Sequence, residues 1–193
     1  MSKLNLGIIG GGQLGSMLSV AAKQLNIKTT IYSDDADAPA QNFCNEFIFG
    51  MYDDKKKILE FVKKVDIITY EFENIPFETL NEMNKLKTVL PKPSVNRLIQ
   101  HRLAEKDFIN KLNIRTTRYV GIEKKSDIET LEDFLPGILK TTTMGYDGKG
   151  QYPIKKIEDL DALKIDFSKG YILEKLVKLK KEISVIITRF GNK

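Results

Sequence analysis

A glycine-rich segment, KTTTMGYDGKGQ at positions 140–151, constrains the fold of this chain more than any other feature. Three glycines lie close together in it, Gly145, Gly148 and Gly150. Glycines at this density let the backbone adopt positive φ and fold closely over a ligand. Successive backbone N–H groups in such a loop can converge on an anion. The segment therefore predicts a loop that covers a negatively charged ligand.

The residues on either side predict two antiparallel strands that this loop joins as a flap. An apolar run, Gly137-Ile138-Leu139, precedes Lys140, and Gln151-Tyr152-Pro153-Ile154 follows the loop. The spacing differs from that of the P-loop, which leads directly into a helix. Lys140 on the first strand and Lys149 in the loop add positive charge, which favours a polyphosphate ligand. The alternative is an ordinary glycine-rich hairpin with surface lysines.

Two later segments favour a nucleotide over the plain hairpin. The apolar run Ile172–Val177 contains Glu174, and Glu182 begins the β-branched run that continues to Ile187. A carboxylate can accept hydrogen bonds from two ribose hydroxyls. Backbone groups at the end of a strand can pair with the edge of adenine. The order of lysine strand, glycine flap and two acidic strands is therefore typical of an ATP site.

Composition excludes several other kinds of chain. With 193 residues the chain can bury a core in one large domain or two small ones. It contains no apolar run long enough to span a membrane and no signal-peptide h-region. Cys44 is the only cysteine, so an intrachain disulfide is excluded. His101 is the only histidine, so a Cys/His zinc site or a histidine triad has almost no residues from which to form. We expect a cytoplasmic protein in which any metal is a hard cation bound by oxygen and phosphate.

The net charge of +5 raises the alternative of nucleic-acid binding. Much of the excess lies in one lysine-rich stretch, at Lys175, Lys178, Lys180 and Lys181. Aromatic residues are sparse there and arginine is scarce. We interpret the stretch as a solvated face and expect no nucleic-acid partner.

The first hundred residues alternate between strand and helix patterns, which predicts a parallel sheet with right-handed crossovers. The predicted strands are Leu4–Ile9, Thr29–Tyr32, Glu46–Phe49, Asp66–Tyr70 and Thr88–Leu90, and the predicted helices are Leu14–Leu25, Lys55–Lys64 and Phe77–Asn84. A proline-rich linker follows, in which Ser94 is a candidate cap for the next helix. Arg97–Leu112 is predicted to be helical with a break near His101.

After Asn113 the pattern predicts a smaller, more antiparallel α+β unit. Its predicted strands are Arg118–Val120, Gly137–Thr142, Gln151–Lys155, Tyr171–Leu176 and Ile183–Phe190, with helices near Asp127–Phe134 and Asp159–Leu163. The last strand is apolar on both faces, as in the middle of a sheet. Because the sequence stops three residues later, we expect a truncated domain.

A second glycine cluster near the amino terminus allows two interpretations. Gly10, Gly12 and Gly15 satisfy the Gly-x-Gly-x-x-Gly pattern between a strand and a helix, and Asp34 ends the next strand. This arrangement is the dinucleotide fingerprint and favours an NAD-binding domain. Alternatively, the same turn and helix terminus hold another anionic ligand. The proline linker and the ATP-type flap downstream favour the second interpretation.

The segment Tyr70–Pro76, YEFENIP, is a third candidate site. It lies at the carboxyl end of a predicted strand, where open α/β sheets bind ligands. The alternative is an acidic loop that only caps the helix starting at Phe77.

The motifs GGGQLG, YEFENIP, HRLAEK, KTTTMGYDGKGQ and EKLVKLKKEISVI, in this order, resemble the N5-carboxyaminoimidazole ribonucleotide synthetase family over essentially the whole chain. The resemblance implies an α/β fold: a pre-ATP-grasp, Rossmann-like parallel-sheet domain over 1–100, a linker helix with the small α+β ATP-grasp lobe over 101–180, and the first strand of a truncated large lobe over 181–193. It also implies ATP-dependent carboxylation of 5-aminoimidazole ribonucleotide with bicarbonate, through carboxyphosphate, in purine biosynthesis. The family enzyme is an ATP- and Mg²⁺-dependent carbon–nitrogen ligase and forms a homodimer.

The resemblance assigns roles to individual positions. Arg102 and Lys140 contact the ATP phosphates, and the residues from Gly145 to Gln151 form the flap above them. The ATP-binding set implied in full is Arg102, Lys140, Gly145, Tyr146, Asp147, Gly148, Lys149, Gly150, Gln151, Glu174, Lys175, Leu176, Val177 and Glu182. In this set, the stretch Glu174–Val177 contacts the adenine and Glu182 contacts the ribose. The substrate-binding set implied is Gln13, Leu14, Glu71, Tyr146 and Asp147.

The chain departs from the family pattern in two residues and in length. Ser16 stands where the family often has arginine, and His101 where aspartate usually precedes the arginine. The family's chain continues for about as many residues again, and that part carries the magnesium ligands, so none are expected here. We therefore expect either an amino-terminal part completed by a second polypeptide or a non-catalytic remnant that binds nucleotide weakly. An NAD-dependent oxidoreductase is the third hypothesis.

Overall fold

The computed structural model describes residues 4–145, 150–163 and 165–188, and the chain divides into two compact units. The boundary falls between Phe108 and Ile109, inside a helix. In the first unit the described elements are β1 (Asn5–Ile9), α1 (Gln13–Gln24), β2 (Lys28–Ser33), β3 (Glu46–Phe49), α2 (Lys55–Lys64), β4 (Ile67–Tyr70), α3 (Phe77–Leu86), α4 (Pro93–Ile99) and α5 (Arg102–Lys111), the last of which crosses the boundary. In the second unit they are β5 (Tyr119–Ile122), α6 (Lys125–Glu129), β6 (Gly137–Thr141), β7 (Gln151–Ile154) and β8 (Tyr171–Lys175). Short 3₁₀ helices cover Pro39–Asn42, Glu132–Phe134, Ile157–Ala162 and Phe167–Lys169.

The first unit contains the predicted parallel sheet, with strand order β3-β2-β1-β4. Ile8 and Ile9 are adjacent on β1, and each is fully buried in a different hydrophobic cluster. The larger cluster contains Phe61 of α2 and Leu80 of α3, so these helices cover one face of the sheet. Both faces of the sheet are therefore covered, as expected of the parallel sheet that the strand–helix alternation predicted.

Helix α1 packs closely against the sheet because its buried residues are small. These are Gly15, Ser19 and Ala22. A Cβ on Gly15 would lie 2.7 Å from the carbonyl oxygen of Gly10, so only glycine allows this approach. The glycine turn and the first turn of α1 therefore form one close-packed unit.

Two predictions for this unit need correction. The predicted strand Thr88–Leu90 is a single parallel bridge between Ile68 and Val89, since the chain pairs there at one position. Ser94 does not cap α4; the N-cap is Lys92, and Pro93 occupies the first helical position, where its missing N–H costs nothing. The predicted break near His101 is confirmed, because α4 ends at Ile99 and α5 begins at Arg102.

The second unit is the predicted antiparallel α+β unit, with strand order β5-β8-β6-β7. Leu139, Leu173 and Tyr171 lie on one face of this sheet and form its core with Leu160 and Phe134. Strands β6 and β7 pair directly, with Lys140 opposite Gln151. The prediction that the glycine loop joins two antiparallel strands is therefore confirmed.

The predicted strand Ile183–Phe190 is not formed over its described part. Residues 176–188 have no helix or strand, and Phe190 lies outside the described residues. A strand exists only when a neighbour accepts its backbone hydrogen bonds, and nothing within the described ranges pairs with 183–188. The apolar side chains are consequently exposed, up to 93% at Ile186. The sequence pattern identified a strand-forming segment but not its pairing partner.

None of the helices in the described ranges is both long and apolar enough to cross a membrane.

Candidate functional site

The strongest candidate site in the second unit is an ion pair between Lys140 and Glu174. Lys140 lies on β6 and Glu174 on β8, and their side chains meet at 2.8 Å between Nζ and Oε2. The sheet register places Glu174 opposite Ile138 and Lys140 opposite Ile172, so the pair is a diagonal neighbour on one face. The side chains are only 20% and 9% exposed. Two charges this well buried are stable only while each has a partner of opposite charge or a hydrogen bond.

The face that carries this pair is distinct from the core face. Alternation along the strands puts Ile138, Lys140, Ile172 and Glu174 on one side and Leu139 and Leu173 on the other. Gln151, opposite Lys140, shares the charged side. Three predicted nucleotide-site residues, Lys140, Gln151 and Glu174, are thus brought together on one surface. A lysine and a carboxylate on one surface can bind a phosphate and a hydroxyl group, respectively.

The flap is described only at its two ends. Gly145 is buried, and Gly150 has φ of 69°. A Cβ on Gly150 would lie 2.6 Å from Oγ1 of Thr141, while Thr141 N donates to the carbonyl of Gly150. Gly150 therefore packs against β6 at a position that requires glycine. The predicted site residues Tyr146, Asp147, Gly148 and Lys149 lie outside the described residues.

The predicted nucleotide contacts from Lys175 onward do not share one location. Lys175 turns its side chain in the opposite direction and donates from Nζ to the carbonyl of Leu135 at 2.5 Å. Its backbone N–H donates to the carbonyl of Arg118, and the N–H of Leu176 donates to that of Pro136. Val177 and Glu182 lie in the exposed stretch that follows β8.

In the first unit, the glycine turn and the YEFENIP segment come together. Gly12 N donates to Oε1 of Glu71 at 3.0 Å, although the residues are 59 positions apart. A Cβ on Gly10, whose φ is 107°, would lie 2.7 Å from the same oxygen. Gln13 and Leu14 begin α1 beside this contact and are exposed. The structure therefore brings Gln13, Leu14 and Glu71 to one end of α1.

The environment of Glu71 changes its acid–base behaviour. Burial raises the pKa of the Glu71 carboxyl, and the hydrogen bond from Gly12 partly opposes that rise. A carboxyl group with a raised pKa at a sheet edge is a functional-site candidate, because it can hold and release a proton. Glu71 also occupies an N–H group to which a dinucleotide pyrophosphate would bind. This argues against the NAD interpretation of Gly10, Gly12 and Gly15.

Tyr52 is a residue near this site that the sequence patterns did not reveal. Burial is the main cause that raises its pKa, followed by the Asp34 carboxylate within hydrogen-bond reach and by the charge of Glu71. Asp34 follows β2, Tyr52 follows β3 and Glu71 follows β4. All three therefore lie at the carboxyl edge of the parallel sheet. Only the sheet order brings them together, so no local motif could have signalled Tyr52.

His101 and Arg102 lie at the start of α5. Nδ1 of His101 accepts from Ala104 N at 3.3 Å, and the His101 carbonyl accepts from Glu105 N. His101 therefore caps the helix, which is the role that aspartate commonly takes at this position of a helix. The other departure, Ser16, donates from its hydroxyl to the Gly12 carbonyl at 3.2 Å. Both residues are accommodated by local hydrogen bonds.

Metal-ligating side chains do not cluster in the described ranges: no group of three or more His, Cys, Asp or Glu there is arranged to hold a metal ion.

Comparison with known proteins agrees with this architecture. Residues 1–100 match the family model for the ribonucleotide synthetase preATP-grasp domain, and residues 107–193 match the ATP-grasp domain. The chain is 38% identical to the N5-carboxyaminoimidazole ribonucleotide synthase of Brucella melitensis over 95% of its length and 52% of that protein. It is 34% identical to the Staphylococcus aureus synthase over 97% of its length and 51% of that protein.

A solved structure supports the same relationship. The S. aureus N5-carboxyaminoimidazole synthetase complexed with ADP superposes with a TM-score of 0.85 at 33% identity, covering 92% of this chain and 49% of that one. The chain spans about half the length of the curated relatives it matches. The chain therefore belongs to the ribonucleotide synthetase preATP-grasp family, with an ATP-grasp domain following, and resembles the N5-carboxyaminoimidazole ribonucleotide synthases over nearly all of its own length.

Proposed function

We propose that this chain is the amino-terminal part of an ATP-dependent carbon–nitrogen ligase that acts in purine biosynthesis. The reaction converts 5-aminoimidazole ribonucleotide, bicarbonate and ATP to N5-carboxyaminoimidazole ribonucleotide, ADP and phosphate. Bicarbonate is first phosphorylated to carboxyphosphate, and the 5-amino group then takes up the carboxyl group. Family membership supports this proposal, as does similarity along almost the whole chain to synthases of this name. We propose that the chain comprises a pre-ATP-grasp domain over 1–100, a linker helix with the small ATP-grasp lobe over 101–180, and the start of the large lobe over 181–193.

The observation that carries the nucleotide part of the proposal is the Lys140–Glu174 pair beside Gln151. A similar synthetase was solved with ADP. In our proposal the ammonium of Lys140 moves from Glu174 to a phosphate, where charge-assisted hydrogen bonds are stronger. Arg102 would add a second cation, and the flap residues from Gly145 to Gln151 would supply backbone N–H groups. Catalysis of this kind depends on positioning and charge neutralisation.

The substrate part of the proposal rests on the Glu71 contact. Glu71, Gln13 and Leu14 would face the imidazole ribonucleotide and bicarbonate, together with Tyr146 and Asp147 of the flap. Glu71 can hold or release a proton beside the reacting amine because its pKa is raised.

Magnesium is part of the proposal because the family resemblance implies an Mg²⁺-dependent ligase. We propose that Mg²⁺ would bind through the nucleotide phosphates and through carboxylates of a further segment.

The exposed segment 176–188 is the proposed contact with that further segment. Ile183, Val185, Ile186 and Ile187 are between 69% and 93% exposed, and the segment has strand-forming composition. A second polypeptide equivalent to the other half of the relatives would pair with it. We propose a cytoplasmic protein, with a homodimer formed by the completed enzyme.

A thermal-shift titration with Mg-ATP tests the nucleotide site first. A ligand at one hundred times its Kd stabilises the folded state by roughly 2.7 kcal/mol. The wild type should show a midpoint that rises with ATP, and Lys140→Ala should not. Since Lys140→Ala removes the cation that faces the buried Glu174 carboxylate, the double variant Lys140→Met/Glu174→Gln removes both charges together. Lys155→Ala, an exposed lysine after β7, is the matched control and should keep the shift.

Carboxylation is then assayed after mixing the chain with the carboxyl-terminal half of the S. aureus synthase. Product formed only by the mixture supports the ligase. An ATP shift with no product from the mixture favours the non-catalytic remnant. An equal shift in the wild type and both Lys140 variants would contradict the assigned nucleotide site, and protection by NADH alone would support the oxidoreductase.

A further inference from the structure

The segment 71–76, which carries Glu71, has no regular structure of its own. It connects β4 to α3, and its residues Phe72 and Glu73 are exposed. A segment of this kind fixes a side chain only if other elements hold its backbone. Two hydrogen bonds hold it at Glu71 itself: Glu71 N donates to the Ile9 carbonyl, and Gly12 N donates to Glu71 Oε1.

Further hydrogen bonds to the segment come from helix α4 and from Gln100, its C-cap residue. Neither belongs to any of the sequence motifs. Gln100 Nε2 donates to the carbonyl of Glu73 at 2.6 Å and to that of Ile75 at 2.7 Å. Asn96 Nδ2 donates to the same Glu73 carbonyl at 2.9 Å. Two side chains, one helical turn apart, thus bind two carbonyls of one short segment.

Burial protects part of this hydrogen-bonded contact from water. Asn96 and Ile75 are fully buried, so water cannot readily replace the hydrogen bond that Asn96 makes. The guanidinium of Arg97 lies 4.9 Å from the ring centre of Phe77, at the start of α3. The side chains of α4 therefore contact the middle of the segment and the first residue of the helix that follows it. Any outward movement of the segment would break several hydrogen bonds together.

We infer that Asn96 and Gln100 are positioning residues that fix the segment 71–76 and thereby hold the Glu71 carboxylate on the Gly12 N–H. Both side chains donate to backbone carbonyls of the segment and act through Glu71. That Glu71 meets the imidazole ribonucleotide rests on the proposed function, whereas the hold on Glu71 does not. Gln100 also lies two residues before Arg102, so the residue that contacts the Glu71 segment comes shortly before the start of α5.

The test is the amide proton resonance of Gly12 in the ligand-free chain, which reports the hydrogen bond to Glu71. Glu71→Ala removes the acceptor and sets the displacement expected for complete loss. Gln100→Met removes both donated hydrogen bonds at nearly constant size and should displace the resonance by at least half of that amount. Gln41→Met makes the same substitution at an exposed glutamine and should leave it unchanged. A role limited to stability would lower the melting midpoint without moving this resonance.

An unchanged Gly12 resonance in folded Gln100→Met would overturn the inference. If Gln100→Met does not fold, Gln100→Asn decides, because it keeps the amide and withdraws it by one methylene. A Gly12 resonance in Gln100→Asn that matches the wild type would equally overturn it.

A calorimetric titration with 5-aminoimidazole ribonucleotide forms the second arm. With the proposed function correct, Gln100→Met binds at least several-fold more weakly than Gln41→Met. If neither the wild type nor Gln41→Met binds the ribonucleotide, the proposed function fails, while the Gly12 resonance still decides the positioning role.

Discussion

Gly10 and Gly12 have different reasons to be glycine, although both contact Glu71. Gly10 has φ of 107°, and a Cβ there would lie 2.7 Å from Glu71 Oε1. Gly12 has φ of −72°, and its Cβ would lie 3.2 Å from that oxygen. At Gly10 both the backbone and the available space exclude a side chain, whereas at Gly12 only a small displacement of Glu71 is needed.

Gly10→Ala should therefore destabilise the chain by about 1–3 kcal/mol, the usual cost of a strained backbone position, and should displace the Glu71 carboxylate. Gly12→Ala is the matched control and should cost clearly less. Urea unfolding of both variants gives the free energies of unfolding. Equal losses would show that the positive φ of Gly10 does not constrain the residue.

Glu71 predicts a pH dependence with a definite sign. Its pKa is raised in the folded chain, mainly by burial. Between the ordinary and the raised pKa the folded state binds more protons than the unfolded state, so the free energy of unfolding falls as pH rises through this window. The stabilisation is fully present below the ordinary glutamate pKa and is lost above the raised one. Glu71→Gln should remove this fall.

The measurement is urea unfolding of the wild type and Glu71→Gln across this pH range. Asp159 and Asp166, whose pKa values are lowered by hydrogen bonds, contribute with the opposite sign in both proteins. Their contribution cancels in the difference between the two curves. A stability difference, wild type minus variant, that rises with pH would contradict the assignment.

At the scale of elements, helix boundaries follow local chemistry. Helix α2 begins where Asp54 accepts hydrogen bonds from Lys56 N and Lys57 N. Helix α5 begins where the imidazole of His101 accepts from Ala104 N. In both cases one side chain satisfies backbone donors that the helix cannot pair internally.

His101→Ala should destabilise the first unit by about 0.5–2 kcal/mol through loss of this cap, and His101→Asp should be at least as stable as the wild type. Chemical unfolding followed by circular dichroism measures both. Lys111→Ala, at the opposite end of α5, is the control for a general change in the helix, because it leaves the cap intact. Identical stabilities of wild type and His101→Ala would refute the cap.

For the whole molecule, the exposed apolar segment after β8 has the largest consequence. Ile183, Ile186 and Ile187 are each more than four-fifths exposed. An unpaired segment with strand-forming composition associates with other chains through its open backbone groups and apolar side chains.

We expect the isolated chain to self-associate with increasing concentration, and the variant Ile186→Lys/Ile187→Lys to do so much less. Sedimentation velocity over a concentration series measures this. Leu112→Lys changes an exposed apolar residue outside the segment and should not alter the association. A wild type that sediments as a monomer at all concentrations would contradict the expectation.

The sequence by itself determined the local features of this protein. Dense glycines predicted a loop between two antiparallel strands, the strand–helix alternation predicted the parallel sheet, and the helix over Arg97–Leu112 was predicted to break near His101. These depend on backbone preferences and apolar periodicity within a few residues. The resemblance also identified the family, because its motifs are short and contiguous.

Only the tertiary structure decided which distant residues meet. The Gly12–Glu71 contact joins residues 59 positions apart and the Lys140–Glu174 pair joins residues 34 apart. Such contacts follow from strand order and register, and a shift of one residue would turn Lys140 to the core face. The hold of Gln100 on Glu73 likewise had no local signal. The strand predicted from Ile183 failed for the same reason, because a strand depends on a partner that its own sequence does not contain.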